Sequence, residues 1–262
     1  MKKKILCNCI SSEIEAKKLL NFSIKFSYEL LSSGAEVYRV EDSINRICRS
    51  FRNIKAVNVF AIDNMVIITF VYDGTNYTSM RRVDESDADL TKITLLNELS
   101  RNIVDGNCNI DKAFKKLKNI KNTKSYKNYI KIILLTISAP FLCFIFGGTI
   151  KDFFAAAVTL TFEIIFMLYI ERFSLPSLLN VSLCSSAVTL FTVILSKIIY
   201  IEKIPSIIVA GIIILFPGMK ITNAMRDVLS GDILSGIIGI TKATLSALSI
   251  AVGVVIILKF LG

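Results

Sequence analysis

Residues 115–149 read KKLKNIKNTKSYKNYIKIILLTISAPFLCFIFGGT, and this stretch decides the class of fold. Lysines crowd its first half. An apolar run of about 20 residues follows, which is long enough to cross a hydrocarbon core of roughly 30 Å. Clustered lysines beside an apolar run are typical of the cytoplasmic end of a transmembrane helix. The stretch therefore predicts a membrane protein whose N-terminal part stays in the cytoplasm.

The composition of the whole chain points the same way. Its 262 residues are 53% hydrophobic and only 20% charged, with a mean hydropathy of +0.60, which is too apolar for an ordinary globular domain. The isoelectric point near 9.3 reflects the lysines at the membrane edge. Nucleic-acid binding is not expected, because the basic stretch lacks interleaved aromatic residues until Tyr126 and Tyr129.

Several chemistries find no support in the sequence. There is no histidine, and the six cysteines are scattered, so neither a metal site nor a cofactor is expected. No nucleophile elbow, P-loop or dinucleotide fingerprint is present, and the chain is not predicted to be an enzyme. The N-terminus begins like a signal peptide, but its apolar stretch ends at Ile10 and charge returns at Glu13.

Residues 1–122 are predicted to form a cytoplasmic α+β domain with the order α-α-β-β-β-α-α. Hydrophobic periodicity places the elements, and the turn sequences Asp63-Asn64 and Asp73-Gly74-Thr75-Asn76 predict an antiparallel meander. The predicted elements are helices 12–33 and 36–51, strands 56–62, 65–72 and 77–83, and helices 89–104 and 111–120. A basic linker, 123–128, leads to the membrane.

Residues 129–262 are predicted to form an all-α transmembrane bundle of about five helices. Charges and prolines divide this part into spans 129–149, 153–170, 178–200, 204–219 and 234–261. With the N-terminal domain in the cytoplasm, five spans place the C-terminus outside. The lysines of the short loops do not favour either orientation, so the orientation rests on the basic N-terminal domain.

Glu163 lies in the middle of the second expected span, within TLTFEIIFML. An ionised carboxylate there costs roughly 2.5 to 3.5 kcal/mol on insertion scales, so Glu163 must be protonated, paired or facing water. A role in a substrate or proton pathway and a structural hydrogen bond between helices both remain open. Lys242 could pair with Glu163, or its ammonium group could reach the lipid headgroups.

The fourth expected span is short and runs into Pro217 and Gly218, which interrupt helical hydrogen bonding. Transporters use such breaks to bind substrate or ions; a plain helix end at the membrane surface is the alternative. Beyond the break, KITNAMRDVLSGDILSG (220–236) is polar for a link between spans, which predicts a gating or partner-facing segment. Its charged and amide residues include Asn223, Arg226, Asp227 and Asp232.

Two stretches of the N-terminal domain, 32–48 and 80–104, combine acids, arginines and an asparagine. Their side chains could line an acid-binding pocket, or they could form helix caps and salt bridges. The residues concerned are Glu36, Arg39, Glu41, Arg81, Arg82, Asn97 and Arg101.

These segments resemble the threonine/serine exporter family, specifically its short YjjP-type subunit. The family pattern is SGAE-x2-R-V-E, a strand pair, R-R-V, L-x3-S-R and PG-x4-N-x2-RD-x3-GD-x3-G, and it occurs here in that order at 33–41, 57–70, 81–83, 96–101 and 217–236. The positions that carry over from the motif are Gly34, Glu36, Arg39, Glu41, Arg82, Pro217, Gly218, Asn223, Arg226, Asp227, Gly231 and Asp232.

The resemblance implies a multipass protein of the bacterial inner membrane that exports threonine and serine, as long single-chain members do, or succinate, as split members do. It also implies a hetero-oligomer with a small second membrane subunit, because this chain lacks the second membrane half of the long single-chain members. Lys242 stands where the family often has an acidic or neutral residue. If this position touches substrate, an anion such as a dicarboxylate is favoured.

The leading hypothesis is a secondary exporter subunit in which a gradient drives helix rearrangements that expose a midplane site to each side in turn. Glu163 and the Pro217 break are its site candidates. The alternative is a membrane-anchored enzyme or ligand sensor that acts through the cytoplasmic domain. Five spans with an intramembrane acid and a broken helix exceed what an anchor requires, so export is favoured.

Overall fold

The computed structural model describes residues 9–84, 88–123 and 128–261. Cys7 and most of the predicted basic linker lie outside the described residues. The described residues divide into two compact units. The first, here called the α+β unit, consists of the described residues within Met1–Ser125 and Met219–Ile240. The second, here called the helical unit, consists of those within Tyr126–Gly218 and Thr241–Gly262.

The α+β unit contains the small sheet of this mostly helical chain. Its elements are α1 (Glu13–Ser32), α2 (Val37–Arg49), β1 (Ile54–Ile62), β2 (Met65–Tyr72), β3 (Thr75–Arg82), α3 (Leu90–Val104) and α4 (Ile110–Lys121). Helix α9 (Gly218–Leu229) and the first residues of α10 (Ile233–Leu261) also belong to it. The segment after the Pro217 break is therefore largely helical, whereas its polar composition led us to expect a link between spans.

Local side chains define where most of the helices of the α+β unit begin. The side-chain oxygens of Ser12, Asp89 and Asn109 each accept a hydrogen bond from the backbone N–H of the third residue of α1, α3 and α4. These are ordinary N-caps. At α2 the equivalent residue is Glu36, whose side chain makes no such hydrogen bond. The N-terminus of α2 must find its partners elsewhere.

The three strands form an antiparallel sheet in the order β1-β2-β3, which confirms the predicted meander. Asp73 and Gly74 join β2 to β3 with φ values of 47° and 75°, as a two-residue hairpin turn of the primed type requires. Strand β3 accordingly begins at Thr75, inside the predicted four-residue turn. Val66, Ile68 and Phe70 alternate inward from β2 and pack with Phe22 and Phe26 of α1 in the core.

Among its described residues, the helical unit contains four α-helices and the remainder of α10. They are α5 (Asn128–Ile145), α6 (Phe153–Ile170), α7 (Ser177–Ser196) and α8 (Ile204–Ile212), and a 3-10 turn, Ile213–Leu215, follows α8. Large apolar side chains such as Leu248, Val252 and Val255 are exposed along α10. Exposed apolar surface of this kind is expected where a helix faces lipid.

Three helices among the described residues are long and apolar enough to cross a membrane. They are Ile150–Phe173, which is α6 with a 3-10 turn at each end, Ser177–Ser196 (α7) and Ile233–Leu261 (α10). Ile204–Leu215 and Gly218–Leu229 meet the same criterion only as a pair, which bends by 58° at the break. Ile132–Ile145 is apolar but shorter. The predicted apolar helices are thus present, and length and composition support three or four of the five expected spans.

Asp152 holds two loops of the helical unit together, and the sequence analysis did not single it out. Its carboxylate is fully buried. It accepts hydrogen bonds from the backbone N–H and hydroxyl of Thr149 at 2.9 and 3.0 Å. It also accepts from the N–H groups of Glu202 and Lys203 at 2.8 and 3.4 Å. The T-x-x-D spacing of a capping box was the available signal.

Candidate functional site

The SGAE stretch forms the corner between α1 and α2. Gly34 has a φ of 79°, and the N–H groups of Gly34 and Ala35 bond to the carbonyls of Leu31 and Leu30 at 3.0 and 3.3 Å. This is a Schellman ending, which favours glycine because its left-handed residue carries no Cβ penalty. Glu36 then occupies the cap position of α2, and its side chain makes no capping hydrogen bond.

Asn223, Arg226 and Asp227 of α9 contact this corner. The Asn223 side-chain amide donates to the carbonyl of Gly34 at 2.9 Å. The Arg226 guanidinium forms an ion pair with the Glu36 carboxylate. These residues follow one another at i and i+3, so they share a face of α9. The contacts join the SGAE and N-x2-RD motifs, which lie about 190 residues apart in the sequence.

Asp227 supplies the cap that α2 lacks. Its Oδ1 accepts a hydrogen bond from the backbone N–H of Val37, the first residue of α2, at 3.1 Å. The first N–H groups of a helix have no partner within the helix, and the helix dipole favours a negative charge beside them. Asp227 therefore completes α2 from a distant part of the chain.

Glu36 binds a second arginine as well. The Nε of Arg39 lies 2.7 Å from Glu36 Oε2, while Arg226 binds Oε1. The Glu36 side chain is only 8% exposed, whereas that of Arg226 is 49% exposed. A nearly buried carboxylate requires such charged partners, because an unpaired buried charge is strongly unfavourable. Removing Arg226 would leave Arg39 as the ion-pair partner of Glu36.

The acids of this cluster differ in how readily they ionise. Burial raises the pKa of Asp227 to about 6, and repulsion from Asp232 and Glu36 adds to the rise, while the N–H groups of Tyr38 and Val37 oppose it. Burial also raises the pKa of Glu41, despite its 2.7 Å hydrogen bond from the backbone N–H of Ala61. Acidification near neutral pH therefore changes the charge of Asp227.

The remaining motif residues of this segment form a tight helical hairpin. Gly231 has a φ of 98° and ends α9 in a second Schellman arrangement, with the Asp232 N–H bonded to the Asp227 carbonyl at 2.9 Å. Helices α9 and α10 then approach closely at Gly236. A Cβ there would lie 2.1 Å from Val228 Cγ2 and 2.9 Å from the carbonyl oxygen of Ala224.

Other candidates from the motifs of the N-terminal part lie outside this set of contacts. Arg82 pairs with the exposed carboxylate of Asp84 at 3.1 Å, and Arg81 stacks on the ring of Tyr28 at 3.8 Å. Asn97 and Arg101 lie on α3. The structure brings together Gly34, Glu36 and Arg39 with Asn223, Arg226 and Asp227. Among the described residues, no group of three potential ligands could hold a metal ion.

The membrane candidates belong to the helical unit. Glu163 is fully buried in α6, and neither of its carboxylate oxygens has a hydrogen-bond partner among the described residues. Lys242, near the start of the α10 segment of this unit, therefore does not donate to it. Pro217 separates the 3-10 turn after α8 from α9. Thr159, one turn before Glu163, is a further buried polar residue that the sequence analysis missed.

Comparison with known proteins identifies the class. A family model described as "Putative threonine/serine exporter" matches residues 21–261, nearly the whole chain. The chain belongs to the threonine/serine exporter family. No solved structure matches it significantly.

Two curated relatives extend over almost the same length. The "Probable succinate transporter subunit YjjP" of Klebsiella aerogenes is 22% identical over 257 residues, which cover 95% of this chain and 96% of the relative. The protein with the same description from Escherichia coli K12 is 24% identical over 244 residues, covering 89% and 91%. Family and relatives together indicate a membrane exporter subunit.

Proposed function

We propose that this chain is the larger subunit of a secondary-type exporter of the bacterial inner membrane. It exports threonine, serine or a dicarboxylate such as succinate, together with a small second membrane subunit. Membership of the exporter family supports export. The word subunit in the names of both relatives, and the succinate in those names, support a partner and a dicarboxylate.

The proposed topology has a cytoplasmic domain at 1–122, a basic linker at 123–128 and five spans in 129–262, with the C-terminus outside. The clustered lysines before the first span support the orientation. A reporter phosphatase that folds only outside the cytoplasm is expected to be active when fused after Gly262 and inactive when fused within the α1–α2 corner.

The observation that carries the proposed mechanism is the attachment of α9 to the α1–α2 corner. Two residues, Phe216 and Pro217, separate the start of helix α9 from the 3-10 turn that ends at Leu215. Its Asn223 and Asp227 are bound to Gly34 and Val37. A rearrangement of the break during transport must therefore move α9, and the bonds to α2 pass that movement to the cytoplasmic domain. Discrete repacking of this kind is how switching elements change state.

The test is an export assay in cells that lack this chain and its small partner. Both genes are restored, the cells are loaded with threonine, serine or succinate, and release of each metabolite is measured. The variants are Glu36→Arg, Arg226→Glu and the double exchange that restores opposite charges. Asp42→Arg and Arg46→Glu are the matched controls, because that ion pair also lies on α2 and both of its side chains are exposed.

Each single exchange at the Glu36–Arg226 pair is expected to abolish export at normal membrane levels of protein. The double exchange is expected to recover part of it, and the controls are expected to export like the wild type. Failure of the wild-type pair to release any of the three metabolites would contradict the proposed function. Wild-type export by both single variants would contradict the coupling through α9 and would leave the proposed export function intact.

A further inference from the structure

Two polar side chains of α6 are buried together without partners. Glu163 and Thr159 are both fully buried, and both Glu163 oxygens and Thr159 Oγ1 lack hydrogen-bond partners among the described residues. They are four residues apart and therefore lie on one face of the helix. Other buried hydroxyls of the helical unit have partners: Thr189 donates to the carbonyl of Ser185 at 2.8 Å, and Ser206 donates to the carbonyl of Phe146 at 2.9 Å.

This pair lies where three helices meet, next to the broken segment. A Cβ at Gly211 of α8 would lie 2.7 Å from Val188 Cγ1 of α7 and 3.6 Å from Thr159 Cγ2, so the three helices are in close contact there. Ile164, the neighbour of Glu163, is buried in a cluster with Ile214 of the 3-10 turn. The unsatisfied groups thus adjoin the part of the unit where the helical hydrogen bonding stops.

An ionised carboxylate cannot persist in this environment without a cation or several donors. No described residue supplies either to the Glu163 oxygens. Glu163 therefore carries its proton in this conformation. If Glu163 kept its proton at all times, it would offer only hydrogen-bonding groups, which a glutamine side chain could also supply. Its unmet hydrogen bonds also make the buried state costly unless another state satisfies them.

We propose that Glu163 is the proton-binding residue of the exporter, alternating between this buried state and two states that open to water at the break, one facing the cytoplasm and one facing outward. This inference rests on the proposed function. In the open state facing the cytoplasm the carboxyl O–H bond breaks and the proton passes to water. In the state facing outward the carboxylate takes a proton from water. One proton thus enters for each cycle that carries metabolite out.

The first test compares two transport modes in vesicles that contain the chain and its small partner. One mode is accumulation driven by a pH gradient, and the other is exchange of labelled for unlabelled metabolite without a gradient. Threonine, serine and succinate are the probes. Glu163→Gln keeps size and polarity but cannot release a proton. Glu171→Gln, an exposed acid just beyond the end of the same helix, is the matched control.

Glu163→Gln is expected to lose gradient-driven accumulation and to retain exchange, while Glu171→Gln retains both. Gradient-driven accumulation by Glu163→Gln at the wild-type rate would overturn the inference. So would wild-type vesicles that exchange a metabolite but do not respond to a pH gradient, and in that case export itself would still stand. Vesicles without any transport would instead overturn the proposed function.

A second measurement applies if Glu163→Gln loses both modes. Hydrophobic carbodiimides attack protonated carboxyl groups that water does not reach, and the adduct is located by mass spectrometry of the full chain. Labelling of Glu163 in the wild type is expected to fall as the pH rises, with no such change at Glu171. Absence of Glu163 labelling across the pH range would overturn the inference without reference to transport.

Discussion

Asp227 Oδ1 accepts a hydrogen bond from the backbone N–H of Val37 at 3.1 Å, across 190 positions of sequence. Helix α2 therefore owes its N-terminal cap to α9, whereas α1, α3 and α4 are capped by the residue just before them. A cap from the residue just before a helix does not depend on the position of any other helix. A cap from another helix makes the stability of α2 depend on where α9 lies, which is what a coupling element requires.

Replacing Asp227 is expected to weaken this cap. Asp227→Ala should destabilise the protein by about 1 kcal/mol, the usual cost of losing a cap, and lower Tm by about 2–4 °C for a chain of this size. Asp227→Asn keeps an acceptor oxygen and should lose less. Thermal unfolding of the full chain in detergent, followed by circular dichroism, measures both.

Ser12→Ala is the matched control, because it removes the local cap of α1, which accepts from Glu15. It is expected to cost a similar amount of stability and to leave export unchanged, whereas Asp227→Ala reduces both. Equal export by the two variants would mean that the α9 cap has a structural role only.

Asp227 also predicts how stability depends on pH. Its pKa rises from 3.8 to about 6 in the folded chain, chiefly through burial. The folded state therefore binds more protons than the unfolded state between those values. Stability from this group is fully present below the lower value and is lost as the pH rises through about 6. Wild-type Tm should increase when the pH falls from about 7 to about 5 by a margin that Asp227→Asn reduces.

The raised pKa of Glu41 acts in the same direction, so Glu41→Gln should reduce the pH dependence further. The two substitutions serve as controls for each other. A pH dependence that neither substitution changes would assign it to other groups.

The ion pair of Glu36 and Arg226 should show measurable coupling. In a double-mutant cycle with Glu36→Gln and Arg226→Gln, a coupling of about 1 kcal/mol is expected, since half-exposure of Arg226 allows solvent to screen the pair. The exposed Asp42–Arg46 pair, with side chains 50% and 68% exposed, should give roughly 0.3–0.5 kcal/mol. Equal coupling in both cycles would show that burial of Glu36 adds nothing.

Close contact of α9 and α10 should make Gly236 intolerant of a side chain. Gly236→Ala would press on Val228 Cγ2 and the Ala224 carbonyl, and overpacking of this kind costs about 1–3 kcal/mol. Gly218→Ala meets nothing within 4 Å and is the control. Thermal unfolding in detergent should separate the two variants, and equal Tm values would contradict close packing of the hairpin.

Asp152 should control the stability of its own unit. Hydrogen bonds to charged groups contribute roughly 1.5–3 kcal/mol, so Asp152→Ala is expected to loosen the loops that it joins. Cys143, which is buried near them beside Gly148, should then react faster with a maleimide. Cys48, buried in the α+β unit, should remain protected. Faster labelling of both thiols would instead indicate general unfolding.

Local patterns in the sequence predicted the elements well. The alternation along β2, the turn residues Asp63-Asn64 and Asp73-Gly74, and the stop at Ser33-Gly34 depend on neighbours in the chain. The observed helices and strands between residues 12 and 121 follow these patterns within one or two residues. The segment 220–236 was interpreted from its polarity as a link between spans, and the structure shows that most of it is helical. Its helix α9 is amphipathic, with polar residues such as Asn223 and Asp227 directed at the α1–α2 corner.

The amino-acid sequence by itself determined the membrane class, the antiparallel meander and the family, because hydropathy, turn chemistry and motif spacing are properties of contiguous residues. Only the tertiary structure decided that Asn223, Arg226 and Asp227 meet the SGAE corner, and that Glu163 is buried without a partner. Those facts depend on contacts between distant segments. Many pairings of acids, arginines and amides are compatible with one sequence, and packing selects among them through the cost of burying a charge or a helix end unsatisfied.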